Sequence, residues 1–176
     1  MKKITKKEID KAKETLKKYK KSKTNLEQRI VDEEQFWKRR HWDSLKKPGE
    51  KTKPSSAWMF NAIVNKHADA MDSYPEAICL PREQSDEESA KLLTEILPVV
   101  LERNNFKDTY ADNWWYKLIH GTACYGVFWD NSLEHGLGDV SIKKIDLLNV
   151  FWEPGIRDLQ KSRNLFICDM VPMELM

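Results

Sequence analysis

Apolar residues recur at helical spacing as far as His120 and gather into short strand-like runs after it, an order that predicts an α+β fold with helices first. Residues 1–23 carry Ile4, Ala12, Leu16 and Tyr19 at roughly helical spacing, a stripe too thin to hold a helix without packing. A fuller pattern starts at Asn25, a potential cap with Gln28 three residues on as in a capping box. Leu26, Ile30, Val31, Phe36 and Trp37 follow, and the helix runs toward Trp42 and stops before Pro48-Gly49. The stretch KKPGEKTKP over 46–54 has linker composition. Ser55 or Ser56 is placed to cap a helix with Met59, Ile63, His67, Ala70 and Met71, ended by Tyr74-Pro75. Glu76 to Pro81, apolar and flanked by prolines, suits an extended segment or edge strand.

Ser85-Asp86-Glu87-Glu88 has the pattern of a capping box opening a helix through Leu92, Leu93, Ile96, Leu97, Val100 and Leu101. Pro98 should kink that helix or end it early. A further helix spans about Phe106 to His120, with Gly121 as its C-terminal cap. Ala123 to Trp129 (ACYGVFW) is aromatic and apolar, and Asp139 to Ile145 (DVSIKKI) has half-buried strand character. With the turn-rich 130–138 between them they predict a β-hairpin with a long tip. Val150-Phe151-Trp152 and Leu165 to Val171 are the last extended pieces. The domain organisation expected is a Lys-rich arm over 1–23, an amphipathic helix over 24–47, a linker over 48–54 and an α+β body over 55–176.

Charge sharpens the picture of the arm. Residues 1–23 hold eleven lysines against Glu8, Asp10 and Glu14, a surplus of +8, so with +2 overall the rest of the chain carries −6. Such an arm on an acidic body points to an anionic partner or to contact between arm and body. Its composition equally suits a solvated, poorly ordered tail. Cys79, Cys124 and Cys168 form no CxxC pair and no zinc-finger spacing with histidine, and they are expected as small buried hydrophobes in a reducing compartment. The apolar runs are far short of the roughly 20 residues that span a bilayer, and no apolar stretch follows the basic start, so a cytosolic chain with no membrane partner is expected.

The motifs of enzymes do not occur. There is no GxxxxGK[ST] loop, no GxGxxG after a strand and no GxSxG elbow, and Gly136-Leu137-Gly138 fits a hairpin tip. His41, His67, His120 and His135 are dispersed, and none belongs to a metal-binding pair. His120 before Gly121 suits a cation near a helix C-terminus, and Glu87-Glu88 an acidic helix start. No catalytic, cofactor-binding or metal-binding residue is nominated, and no enzymatic activity is expected.

Two constellations remain. Trp114 and Trp115 point about 100° apart on a helix, so both cannot share one narrow buried stripe. One should enter the core with Phe106 and Tyr110, and the other should meet another element or another subunit. Phe36 to Trp42 (FWKRRHW) interleaves base and aromatic: Lys38, Arg39 and Arg40 could meet phosphates while Phe36, Trp37 and Trp42 stack on bases. An amphipathic helix that buries its aromatics explains the same residues.

The order of features from about Asn25 to Val171 resembles that of portal proteins of tailed phages and prophages of Gram-positive bacteria. The resemblance rests on Phe36-Trp37 and Trp42-Asp43, then Trp58-Met59-Phe60-Asn61 with Ile63-Val64 ahead of Tyr74-Pro75. It continues through Trp114 to Trp129 (WWYKLIHGTACYGVFW), Gly138-Asp139-Val140-Ser141-Ile142 and Ile145 to Pro154 (IDLLNVFWEP). Leu147 stands where many portal sequences have proline, which loosens the expected turn. Portal proteins are typically several hundred residues long, so the resemblance covers an N-terminal, wing-like portion. It implies a structural subunit of a homo-oligomeric ring at one capsid vertex, in the virion and in the host cytoplasm during assembly. Implied partners are other portal subunits, terminase, capsid and tail or adaptor proteins, and the double-stranded DNA that passes through the channel. Terminase would supply the ATP-driven step, and no cofactor is implied. The alternative expectation is a nucleic-acid-binding module built on the basic arm and the 36–42 patch.

Overall fold

No glycine or proline interrupts the chain between Thr5 and Trp37, and lysine, glutamate and glutamine are good helix formers. The computed structural model, which describes residues 4–40, 42 and 54–170, accordingly has one helix there, α1 (Lys6–Trp37). The capping box lies at Thr5, whose backbone N–H donates to the Glu8 carboxylate at 2.8 Å while its hydroxyl accepts from the Glu8 N–H. Asn25 is interior to the helix, so the cap expected there is not formed and one helix crosses the expected 23/24 division. His41, residues 43–53 with most of the linker, and Val171 onward lie outside the described residues.

The described chain divides into two units, one drawn from Met1–Lys53 and Ile145–Met176, the other from Pro54–Lys144. The final segment therefore groups with α1, whereas the sequence division kept 55–176 together. In this α1 unit, β3 (Val150–Phe151) pairs antiparallel with β4 (Phe166–Ile167), and the Cys168 N–H extends the ladder to the Asn149 carbonyl at 2.9 Å. Asp146 caps the turn Leu147–Asn149 by accepting from the Leu148 N–H at 2.9 Å. Tyr19 meets Phe166 edge-on, with ring centroids 5.8 Å apart. Tyr19, Ile30, Leu147, Val150 and Phe151 are the buried apolar residues here.

The second unit holds α2 (Trp58–Asp72), α3 (Glu87–Arg103), α4 (Phe106–His120) and the antiparallel hairpin β1 (Cys124–Asp130) and β2 (Asp139–Ile145). Helices followed by small antiparallel strand pairs make the fold α+β. Two local expectations are corrected, and one of the two outcomes expected at Pro98 is excluded. Ala57, without a side-chain bond, precedes α2 in place of Ser55 or Ser56. A 3-10 turn, Gln84–Asp86, displaces the capping box at Ser85, so Asp86 precedes α3 without capping it. Pro98 does not end α3, which continues to Arg103, because the last turn is held by half-buried Val100 and Leu101 and proline's fixed φ is itself helical. Tyr74 to Pro81 has no regular secondary structure and joins no strand pair among the described residues; the Cys79 N–H donates instead to the Thr94 hydroxyl at 3.0 Å.

A left-handed Asn105 (φ 46°) turns the chain sharply from α3 into α4, a conformation asparagine tolerates better than most residues. Gly121 (φ 69°) ends α4 as the sequence suggests. Asn104 ties this corner to the hairpin. Its amide nitrogen donates to the carbonyls of Val100 (2.8 Å) and Val140 (3.0 Å), and its amide oxygen accepts from the Ile142 N–H at 2.9 Å.

Candidate functional site

Nine lysines fall on α1 between Lys6 and Lys23, and eight of them are exposed. At roughly 100° per residue, Tyr19, Lys23 and Ile30 define the buried stripe, and the eight exposed lysines all point about 80° or more away from it. Lys6, Lys7, Lys17, Lys18 and Lys21 lie within about 60° of the opposite line. Residues 4–14 are exposed on every side. The arm's charge is thus displayed as a face of a helix.

Lys23 is the exception and was hidden in the sequence as one lysine among many. It is buried, and its ammonium donates to the carbonyl oxygens of Leu147 and Val150, the latter at 2.7 Å. The same ammonium lies 4.4 Å from the centre of the Phe151 ring and 5.6 Å from that of Trp152. Burial of a cation requires such partners. The available signal was its position, four residues from Tyr19 on the stripe that continues to Leu26 and Ile30.

Lys38, Arg39 and Arg40 lie at the C-terminal end of α1, where positive charge is favoured by the helix dipole. Lys38 pairs with Glu34 and lies 5.5 Å from the centre of the Trp37 ring, while the Trp37 indole N–H donates to Glu34 at 2.8 Å. Arg39 turns left-handed (φ 62°) and Arg40 bonds back to the Gln35 carbonyl, so the three bases do not continue the helix as a row. Arg39 and Arg40 are exposed, and His41 lies outside the described residues.

Trp114 and Trp115 both contact residues within their own unit. Trp114 is edge-on to Tyr110 at 6.2 Å and carries the Lys117 ammonium 4.0 Å from its ring centre. Trp115 meets the His67 ring edge-on at 5.4 Å, and His67 Nε2 lies 2.9 Å from the Ala111 carbonyl, which makes that nitrogen the donor. Trp114 also lines a cavity of about 460 Å³ with Leu97, Leu101 and Phe106. A neighbouring cavity of about 800 Å³ shares Pro75, Ala77, Leu101 and Phe106 with it, so the segment after α2 borders an apolar groove along α3.

Of the cysteines, Cys79 and Cys124 are half-buried, but Cys168 is exposed, against the expectation that all three are buried. Among the described residues, no group of three or more His, Cys, Asp or Glu side chains is placed to hold a metal ion. No described helix is long and apolar enough to cross a membrane. Lys144 donates to Asp112 at 2.9 Å and lies 4.1 Å from the Tyr116 ring centre. Burial works against its charge, but the Asp112 hydrogen bond and the neighbouring Tyr116 outweigh it and hold the amine above the usual lysine range. Compared with family models, with curated proteins and with solved structures, the chain matches none.

Proposed function

We propose that the chain is a portion of a portal-type ring subunit of a tailed phage, a structural component without catalysis of its own. The motif order set out for the sequence motivates the reading. The observation that carries it is the apolar surface of the second unit. Trp58 and Leu80 are each 82% exposed, and Ile78, Leu92, Val127 and Trp129 are all more than half exposed. Exposed apolar surface of this kind, where it is contiguous, is what other chains cover, and these six side chains are available to such contacts. Neighbouring subunits of a closed ring would cover it by the same contacts at every position. Double-stranded DNA, terminase, capsid and tail proteins are the partners this reading assigns. A second reading, a nucleic-acid-binding module, is favoured by the lysine face of α1.

Immunogold electron microscopy tests the first reading directly. An antibody raised against this chain, applied to opened particles of a phage that encodes it, should label the single vertex that bears the tail. Label spread over the whole capsid, or none on particles, would refute the assignment.

A further inference from the structure

The lysines of α1 sit where helix stability does not explain them. A helix favours negative charge at its N-terminal end and positive charge at its C-terminal end. The first half of α1 has the opposite sign: eight exposed lysines against Glu8, Asp10 and Glu14 between Lys6 and Lys21. The acids Glu27, Asp32, Glu33 and Glu34 gather in the second half. Packing does not account for the lysines either, because they face away from the buried stripe. The residue 4–14 stretch offers only Ile4, Ile9 and Ala12 as apolar residues, sparser than the roughly three or four per two turns that a helix uses to bind a protein partner.

We infer that this face is a docking surface for the phosphate backbone of duplex DNA, read without regard to sequence. Charge complementarity selects the occupant. From Lys6 to Lys21 the face runs about 22 Å at the helical rise of roughly 1.5 Å per residue, and B-DNA carries one phosphate per ~1.7 Å of axis. No tryptophan, phenylalanine or tyrosine lies among residues 6–18, so the face has no platform on which unpaired bases would stack, and this favours duplex over single strand. A second copy of α1 is a poorer occupant. In its acidic half, Glu33 pairs with Arg29, Glu34 with Lys38, and Asp32 accepts from Gln28 at 3.0 Å, so most of that charge is already engaged. The inference rests on the second reading, the nucleic-acid-binding module, and narrows it to duplex DNA; it is separate from the ring-subunit reading, whose vertex label a failed duplex titration leaves untouched.

The experiment is fluorescence anisotropy of a labelled 20-base-pair duplex of mixed sequence with the full chain, between 50 and 200 mM NaCl. If four or five phosphates are neutralised, log K should fall against log salt with a slope near −4, about 100-fold or more across that range. The triple variant Lys17→Gln, Lys18→Gln, Lys21→Gln should retain helical circular dichroism and lose about 0.9 of slope for each lysine that meets a phosphate. Arg39→Gln with Arg40→Gln should leave the slope as it is. No binding at 50 mM salt, or an unchanged slope in the triple variant, overturns the inference. Tighter binding of a single strand of equal length also overturns it, as does displacement of the duplex by polyglutamate at equal charge. Self-association that the triple variant abolishes, seen by light scattering without DNA, would assign the face to a second copy instead.

Discussion

The ammonium of Lys23 and the carbonyl of Val150 meet at 2.7 Å across 127 positions of sequence, and this bond joins the middle of α1 to the strand pair near the end of the described chain. Val150 is only 2% exposed, so its carbonyl has little access to water that could replace the lysine. The long methylene stem of Lys23 lies on the same stripe as Tyr19, which lets one side chain contribute both apolar packing and a donor.

Lys23→Met keeps most of that stem and removes the donor. The carbonyls of Leu147 and Val150 then lose a buried partner, with an expected destabilisation of about 1–3 kcal/mol. Lys21→Met, on the exposed side of the same helix, should stay within about 0.5 kcal/mol of the parent. Urea titration followed by circular dichroism measures both. Equal effects would mean that Lys23 is not an anchor.

Asn104 is expected to be nearly as intolerant, because its amide uses both ends. Asn104→Asp keeps the shape but sets a carboxylate oxygen against the carbonyls of Val100 and Val140, where an N–H had donated. A loss of roughly 1–3 kcal/mol follows from unsatisfied groups of this kind. Asn104→Ala should cost a similar amount, and amide hydrogen exchange at Ile142 should accelerate in this variant, since that N–H loses its acceptor. Unchanged protection at Ile142 would contradict the network.

How far the sequence discloses this structure depends on whether the determinants are local. The helix Phe106–His120 is legible because Gly121 and the aromatic spacing mark it from within a few residues. The strand Asp139–Ile145 is legible because its pattern changes sharply at the glycine-rich tip. By contrast, the capping box at Thr5 and Glu8 has the same local pattern as those expected at Asn25 and Ser85, and only the uninterrupted packing of α1 and the 3-10 turn at Gln84–Asp86 decide among them. Nothing local distinguishes Lys23 from its exposed neighbours, since what buries it lies at residues 147–152. Trp114 and Trp115 were legible as a pair with two directions, and the structure places both against residues of their own unit.

Gly138 tests the hairpin tip. Its φ of 84° disfavours any side chain, and a Cβ there would come within 2.5 Å of Nε1 of Trp129. Gly138→Ala is therefore expected to destabilise the second unit by about 1–3 kcal/mol, partly through strain and partly through displacement of the indole. The two parts separate in a double-mutant cycle with Trp129→Ala. If the indole contributes, the glycine substitution should cost less in the alanine background, by about 0.5 kcal/mol or more. Additive effects would leave backbone strain as the whole cause.

Lys144 gives the alkaline limb of stability a defined sign. Its folded amine is held above the usual value, chiefly against burial, by the Asp112 hydrogen bond and by Tyr116. A group whose folded value is raised stabilises fully below its unfolded value, here near 10.4 for lysine, and the contribution disappears as pH rises through the folded value. The stability difference between the parent chain and Lys144→Met should therefore be constant from about pH 7 to 9.5 and shrink above about 10.5. Because the Lys144 side chain keeps about a third of its exposure, 1 M salt should shrink the same difference at neutral pH. Urea titrations at several pH values decide the matter. A difference that grows above pH 10.5 would mean that the amine is destabilised in the folded chain and that Asp112 does not hold it.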